Sequence, residues 1–345
     1  MATSEVNTVR AFFLRQGLTC KDRADCDSEA RKLFPREVIV PSSIQGYCSY
    51  TLFAGESNVI QFRQEKYRLD IDVVAAAKYV FGSCAPTTTY QGTVASCGLL
   101  IYIIERLPGV TYQQYRINAR SIVDPIVWKQ QVKLCQDFAG FLAQSWHQRS
   151  SHVPLACDGK VGSAITFKLQ QLAGGLDIRF QPWVEAVLER IQQLDIVPLV
   201  VNHGDVVASN IMVNPDTGRL NGLVDWAEAE ALPFGTCLYG LEELLGFMTP
   251  QGWVYYERSE ELRRAFWEHL EHLILPLKKN LNLRNGVRLA QHVGVLLWHG
   301  FAWDDGAINR VVNETTDADD IQYLDSFLLR QPPESTLDFI PMAKL

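Results

Sequence analysis

The stretch Val200–Trp226 constrains this chain more than any other: Val-Val-Asn-His-Gly-Asp-Val-Val-Ala-Ser-Asn-Ile-Met-Val-Asn-Pro-Asp-Thr-Gly-Arg-Leu-Asn-Gly-Leu-Val-Asp-Trp. Two apolar β-type runs, Leu199-Val200-Val201 and Ile211-Met212-Val213, flank a polar loop that carries His203, Gly204 and Asp205. Asn214-Pro215-Asp216-Thr217-Gly218 is dense turn chemistry, after which Leu220 and Leu223-Val224 read as a return strand ending at Asp225. Asn210 lies five residues after Asp205, and Asp225 fifteen residues after Asn210. A hairpin with these ends brings Asn210 and Asp225 to neighbouring strands, where both could touch one ion. Mg²⁺ prefers hard oxygen ligands and keeps several waters, so two protein ligands plus phosphate oxygens are enough.

Phosphoryl transfer needs an acceptor for the attacking hydroxyl's proton and oxygen ligands for Mg²⁺ beside the phosphates. Asp205 can supply the first, and Asn210 with Asp225 the second. The spacing is that of a kinase catalytic loop followed by a metal-binding carboxylate. His-Gly-Asp alone is a weak signal, because these are common turn residues; order, spacing and apolar flanks together carry the reading.

The 345 residues, 47% apolar and 21% charged, suffice for one large core or two lobes. A net charge of −7 without a basic block argues against a general nucleic-acid or anionic-membrane partner. The acidic balance is compatible with a cationic acceptor and equally with an ordinary soluble protein. No segment approaches the ~20 apolar residues needed to span a bilayer. The run Ala11-Phe12-Phe13-Leu14 is too short for a signal-peptide core, so a cytoplasmic protein is expected. Eight cysteines are scattered without a Cys-x-x-Cys pair, as reduced and mostly buried thiols are.

Along the chain, residues 1–40 read as a helical extension. Residues 42–62 read as a hairpin with strands at Tyr50–Phe53 and Asn58–Phe62. Residues 69–81 read as a helix with Ile71, Val74, Ala75 and Tyr79 on one face, stopped by Gly82. Leu99–Glu105 reads as a buried strand, followed by a break at Pro108-Gly109. The rest is helical around the catalytic hairpin: stripes run from Trp128 to Trp146 and from Trp183 to Leu194, and further helical spacing covers 238–248, 259–278, 286–302 and 319–330. The expected fold is therefore α+β and bilobal, kinase-like in its β-β-α-β order. A nucleotide-binding N-lobe takes residues 1–107, and a helical C-lobe with catalytic loop and acceptor site takes 108–345.

The central motif resembles the aminoglycoside phosphotransferase and choline kinase group of small-molecule kinases, which has the protein-kinase fold with a His-Gly-Asp loop and an Asp-Trp metal motif. Asp225-Trp226-Ala227-Glu228-Ala229-Glu230 with Leu232-Pro233-Phe234-Gly235 resembles the fungal branch of that group. Gln45–Thr51, Val59–Arg63 and Ile103–Gly109 fit the same pattern, so the resemblance covers about residues 40–245. It implies ATP and Mg²⁺ as cofactors and a small-molecule hydroxyl as phosphoryl acceptor, with Asp205 as proton acceptor, Asn210 and Asp225 on the metal, and His203 bracing the loop. Trp226 is expected to pack behind the metal site.

The resemblance also distributes nucleotide contacts. Gly46 and Ser49 fall in the loop that would cover the phosphates, although it holds a single glycine. The strand-3 lysine is absent. Arg63 is the best replacement by register, with Gln61 on the same strand face and Lys66 as further alternatives. Asp72 is the expected acidic partner on the next helix, against which stand Asp70 and a simple capping role. The backbone of Glu105 to Leu107 would meet the adenine edge. The Gly-Asp-Pro that follows Asp-Trp in many relatives is replaced here, which leaves Glu228, Glu242 or Glu243 as substitutes for the carboxylate that braces the loop. For the acceptor, Trp298, Trp303, Asp304 and Asp305 offer carboxylates beside aromatics, as do Tyr255, Tyr256 and Glu257; core tryptophans and solvated helix-end acids are the competing reading. The odd strand-3 residue and poor glycine loop favour a nucleotide-binding scaffold without turnover, whereas the intact loop triad favours an enzyme. A protein kinase is disfavoured by the lack of an Ala-Pro-Glu motif and of a long activation segment.

Overall fold

Strands of alternating burial, separated by turn residues, make the first part of the chain a sheet. The computed structural model describes residues 2–43, 45–118, 124–148, 161, 164–305 and 307–329. The chain divides into two compact units, residues 1–78 with 85–107 and residues 79–84 with 108–345.

The first unit opens with two helices, α1 (Ala2–Arg15) and α2 (Cys20–Leu33). A capping box starts α2: the Thr19 hydroxyl accepts from the Asp22 N–H, while the Asp22 carboxylate accepts from Thr19. The strands are β1 (Ile39–Pro41), β2 (Ser49–Ala54) and β3 (Asn58–Arg63); then come helix α3 (Ile71–Phe81) and strands β4 (Thr88–Thr93) and β5 (Leu100–Glu105). They form one antiparallel sheet in the order β1-β2-β3-β5-β4. Tyr50, Leu52, Ala54, Ile60, Phe62 and Ile101 face one side and bury against Val9, Phe12 and Phe13 of α1 and Cys26 and Ala30 of α2. The period of two sends Ser49, Thr51, Gln61, Arg63 and Tyr102 to the other side.

In the second unit, β6 (Val110–Thr111) leads into α4 (Tyr112–Asn118) and the long α5 (Pro125–His147). The Asp124 side chain caps α5, and Pro125 occupies its first turn, where no N–H is needed. After α6 (Ile165–Gly175) and α7 (Gln181–Leu188) come β7 (Leu199–Asn202), β8 (Ile211–Val213), β9 (Leu220–Leu223) and β10 (Glu230–Pro233). β8 pairs with both β6 and β9, and β10 pairs with β7, all antiparallel. The remainder is α8 (Gly240–Leu245), β11 (Gly246–Thr249), β12 (Gly252–Tyr255), α9 (Ser259–Leu273), α10 (Leu275–Lys279), α11 (Leu281–His299), β13 (Phe301–Asp304), β14 (Ala307–Val311) and α12 (Ala318–Leu324).

Several boundaries differ from the sequence reading. On α3 the buried positions are Val74, Ala76, Ala77, Val80 and Phe81, whereas Tyr79 is 64% exposed. The stripe from Trp183 breaks after Leu188, and Ile191–Ile196 forms a tighter 3-10 turn. Residues 238–248 and 286–302 hold helices that end early, at Leu245 and His299, and turn into the hairpins β11–β12 and β13–β14. Segment 259–278 is two helices, since Pro276 begins a new one where it could not continue the old. Arg330, the end of the last expected helix, and Cys157 lie outside the described residues; the seven described cysteines are free. No described helix is long and apolar enough to cross a membrane.

Phe12 is fully buried, 6.3 Å from the Tyr50 ring, and links α1 to the sheet. Replacing it with alanine removes that packing and leaves a cavity; Phe12→Ala should lower unfolding free energy by about 3 kcal/mol, read from urea titration followed by circular dichroism.

Candidate active site

Within the second unit the ribbon β8–β9 brings Asn210, Asp225 and the loop of Asp205 together. Val224 N donates to the Asn210 carbonyl at 2.9 Å, extending the pairing past the end of both strands. Asn210 Nδ2 donates to Asp205 Oδ2 at 2.7 Å and to the Asp205 carbonyl at 3.1 Å. That contact fixes the Asp205 side chain and commits the amide nitrogen, so the amide oxygen is the ligand-capable end. Asp225 is exposed and holds φ at 64°, the left-handed region that non-glycine residues seldom adopt. Its carboxylate makes no hydrogen bond or ion pair among the described residues.

An amide oxygen and an uncommitted carboxylate are both hard oxygen donors, and they suit Mg²⁺. No group of three or more His, Cys, Asp or Glu side chains able to hold a metal occurs among the described residues. An ion held by this pair would complete its shell from water and phosphate oxygens.

His203 is buried behind the loop. Its Nε2 lies 2.9 Å from the Val224 carbonyl and its Nδ1 accepts from Asp205 N at 3.2 Å, which assigns the Nε2–H tautomer. Burial lowers its pKa to about 4 against the opposing attraction of Asp225, so the ring is neutral near pH 7. Trp226 packs on it with ring centroids 4.5 Å apart and donates Nε1–H to the Leu223 carbonyl at 2.9 Å. Gly204 has φ 78°, and a Cβ there would stand 2.1 Å from the Glu228 carbonyl oxygen, so only glycine fits. Its N–H meets Cys237 Sγ at 3.4 Å, and Tyr239 OH accepts from Val206 N at 3.0 Å. Asn202 accepts from Cys237 N and donates to the Val200 and Leu232 carbonyls.

Of the three acids left open as the brace, Glu243 accepts the Ala208 N–H in the loop and faces Arg116 at 3.6 Å; burial pushes its pKa up to about 7. Glu242 is instead committed to a buried ion pair with Arg263, where Tyr255 OH also donates to it at 2.9 Å. Tyr256 meets Tyr112, hydroxyl to hydroxyl, at 3.2 Å. Tyr256 belongs to the core, and the half-buried Tyr255 is committed to Glu242.

The remaining site candidates lie in the first unit. Arg63 is 4% exposed; its Nε donates to the Tyr67 carbonyl and its Nη1 to Gln61 Oε1, each at 2.8 Å. The two strand-3 alternatives are thus bonded to each other. Lys66 sits outside the strand, 4.7 Å from the Tyr67 ring centroid. Arg63 makes no ion pair with Asp72 among the described residues: Asp72 is exposed, and Asp70 caps the helix by accepting from Asp72 N and Val73 N. Ser49 stands opposite Arg63 in the sheet, its hydroxyl 3.1 Å from that of Thr51. Gly46 is held from outside, since Arg15 donates to the Gly46 and Tyr47 carbonyls and Gln45 latches onto Thr51; Ile44 in this loop lies outside the described residues. Glu105 pairs with Lys78 at 2.9 Å and accepts from Thr87, which holds its pKa below the usual carboxylate range, and Leu107 is buried. Lys78 carried no sequence signal, because its partner is 27 residues away.

A cavity in the second unit is lined by Gly204, Glu228, Glu230, Tyr239, Trp298 and Trp303, among others. The Trp298 and Trp303 of the sequence reading therefore do line a pocket, but Asp304 is held by Arg310 in the β13–β14 hairpin at 2.7 and 3.1 Å. The acids at the pocket are Glu228 and Glu230, which sequence reasoning had read at most as a brace.

Residues 72–234 match the phosphotransferase enzyme family (APH). No curated protein matches the chain significantly. Among solved structures it is similar to a GDP complex of a mutant aminoglycoside 2′-phosphotransferase-IIIa, at 12% identity over 78% of this chain and 86% of that one, with a TM-score of 0.50. It is likewise similar to the gentamicin complex of APH(2″)-IIa, at 17% identity over 92% and 98%, also with a TM-score of 0.50. These likenesses are of fold, and they bear out the α+β, protein-kinase-like fold expected from the sequence, with an antiparallel sheet in its N-terminal part and a mostly helical C-terminal part.

The depressed pKa of His203 makes a pH prediction. The unfolded chain takes up its proton near pH 6.5 and the folded one only near 4. Its contribution to stability is thus complete above about 6.5 and lost as pH falls toward 4. Glu243, raised to about 7, acts in the opposite sense, its contribution being lost as pH rises from about 4.5 to 7. The His203 part is therefore read as a difference. Between pH 7 and 4.5 the wild type should lose about 2–3 kcal/mol more than His203→Gln in chemical denaturation.

Proposed function

We propose, for a chain whose residues 72–234 match the phosphotransferase enzyme family, that it moves the γ-phosphoryl group of ATP to a hydroxyl of a small molecule with Mg²⁺ as cofactor. The observation that carries this reading is the hydrogen-bonded Asp205–Asn210 pair beside the uncommitted Asp225 carboxylate.

Asp205 accepts the hydroxyl proton as the acceptor oxygen bonds to the γ-phosphorus and the bond to the ADP oxygen breaks. Its carboxylate is oriented by Asn210, so it is aimed before the acceptor arrives. Asn210 Oδ1 and the Asp225 carboxylate hold Mg²⁺, which when bound neutralises charge on the phosphate oxygens. A neutral His203 does not compete with Asp205 for the proton; it fixes the loop through Val224 and Asp205 N. In the first unit, Arg63 with Gln61, the backbone near Gly46 and Ser49, the first turn at Asp72, and the main chain from Glu105 to Leu107 are assigned to the nucleotide. The acceptor is taken up by the second unit.

Two variants test the assignment in a coupled ADP-release assay and by nucleotide titration. Asp205→Ala should lower turnover by about 10²–10⁴-fold with ATP affinity changed no more than about threefold, as removal of a proton acceptor requires. Asp225→Ala should weaken nucleotide binding in the presence of Mg²⁺ and remove its dependence on Mg²⁺ concentration. An unchanged rate in the first, or an unchanged Mg²⁺ dependence in the second, sinks the respective role.

A further inference from the structure

Helix α1 ends on a rigid stop. Gly17 sits at φ 68°, Leu18 N donates to the Phe13 carbonyl at 2.8 Å and Gly17 N to the Leu14 carbonyl at 3.1 Å, the pair of bonds that closes a helix on a left-handed glycine. Phe12 and Phe13 are buried in the core that α1 shares with the sheet. Arg15, the last helical residue, and Gln16 therefore project from a fixed base.

Both reach the loop between β1 and β2. Arg15 Nη2 donates to the Gly46 carbonyl at 3.4 Å and to the Tyr47 carbonyl at 3.2 Å, and its guanidinium carbon lies 4.2 Å from the Tyr47 ring centroid. Gln16 Nε2 donates to the same Tyr47 carbonyl at 3.2 Å. The Gln16 carbonyl in turn accepts from Gln64 Nε2 at 3.1 Å, just beyond the end of β3. A single hydrogen bond at an exposed position is weak. Here three fall on two successive carbonyls, and a cation over an aromatic face adds to them.

The lone glycine does not set the shape of this loop. A Cβ on Gly46 would touch only Ser49 Oγ, at 3.5 Å, an ordinary contact. Side chains set it instead. From within, the Gln45 amide donates to the Ser42 and Thr51 carbonyls at 2.9 and 3.0 Å and accepts from Thr51 N at 2.7 Å. From outside come Arg15 and Gln16. The loop also touches the seat of the candidate phosphate clamp: the Tyr47 ring meets Tyr67 edge-on with centroids 6.2 Å apart, and the Tyr67 carbonyl accepts from Arg63 Nε at 2.8 Å.

We propose that Arg15 and Gln16 are positioning residues for the nucleotide phosphates: the end of α1 clasps the β1–β2 loop and, through Tyr47 and Tyr67, steadies Arg63. A loop already held in place loses less freedom when it meets its ligand. What the loop covers rests on the phosphotransfer reading; the clasp rests on α1 and the loop alone. The helical extension, which lies outside the family match to residues 72–234, thereby takes part in nucleotide binding.

The full-length chain is titrated calorimetrically with ATP plus Mg²⁺ and with adenosine, which has no phosphates. It is also digested with chymotrypsin under native conditions, with cleavage after Tyr47 followed by mass spectrometry. Arg15→Ala should weaken ATP binding about fivefold and leave adenosine binding within about twofold. Cleavage after Tyr47 should become about fivefold faster as the loop opens more often. The uncharged Gln16→Ala should shift ATP binding and cleavage in the same direction, which separates the clasp from the loss of a positive charge. Unchanged ATP binding or unchanged cleavage in Arg15→Ala overturns the proposal, as does adenosine binding weakened as much as ATP binding, or an effect of Arg15→Ala with none of Gln16→Ala. A wild type that binds neither ligand, with cleavage still faster in both variants, keeps the clasp but overturns the phosphotransfer reading and with it the role in nucleotide binding.

Discussion

One backbone hydrogen bond, from Val224 N to the Asn210 carbonyl, holds the second unit's chemistry in place. It closes the ribbon just beyond the paired strands, so Asn210, which leads into β8, and Asp225, which follows β9, lie at the same end of it. Asn210 can then reach back to Asp205, and Asp225 turns out into solvent through a left-handed backbone. That conformation costs roughly 1–2 kcal/mol for an L-residue, and aspartate is among the side chains that tolerate it best. Strain kept at a site residue whose carboxylate is uncommitted among the described residues is what a ligand-binding position looks like.

Everything behind this edge is arranged to stop it moving. The loop from His203 to Asn210 has little regular pairing of its own, so its polar groups are satisfied by neighbours: Tyr239 for Val206, Cys237 for Gly204, Glu243 for Ala208, and the Val224 carbonyl for His203. Unpaired, each buried group would cost about 1–3 kcal/mol, and the loop would swing outward to find water. Gly204 completes the arrangement because the Glu228 carbonyl occupies the space a side chain would need.

Legibility in the sequence followed the range of the interaction. The catalytic ribbon was readable because its signals are local: two apolar runs, a turn cluster and fixed spacings. The hairpin β2–β3 and the helices α1, α2 and α5 were readable for the same reason. Strands β1 and β4 were not, since three residues ending in proline and a Thr-rich, largely exposed run carry no strong alternation. The hairpins after α8 and α11 were hidden inside apolar stretches that continue the helical spacing, and only tertiary pairing ends those helices. On α3, Tyr79 looked like a core residue by spacing, yet neighbours decide which face is buried. Among site residues, Lys78 and Glu243 escaped notice or remained one of several choices because their partners are remote in sequence, and Glu230 took part in a cavity whose other walls come from α11 and β13–β14.

The central claim is that Asn210 and Asp225 share a divalent ion next to Asp205. It is tested most directly by a crystal structure of the chain with a non-hydrolysable ATP analogue and Mn²⁺ in place of Mg²⁺, read from anomalous scattering. The account predicts an anomalous peak about 2.0–2.3 Å from Asn210 Oδ1 and an Asp225 carboxylate oxygen, bridged to phosphate oxygens. A bound nucleotide whose manganese ion lies on other side chains, with Asn210 and Asp225 uninvolved, would contradict it.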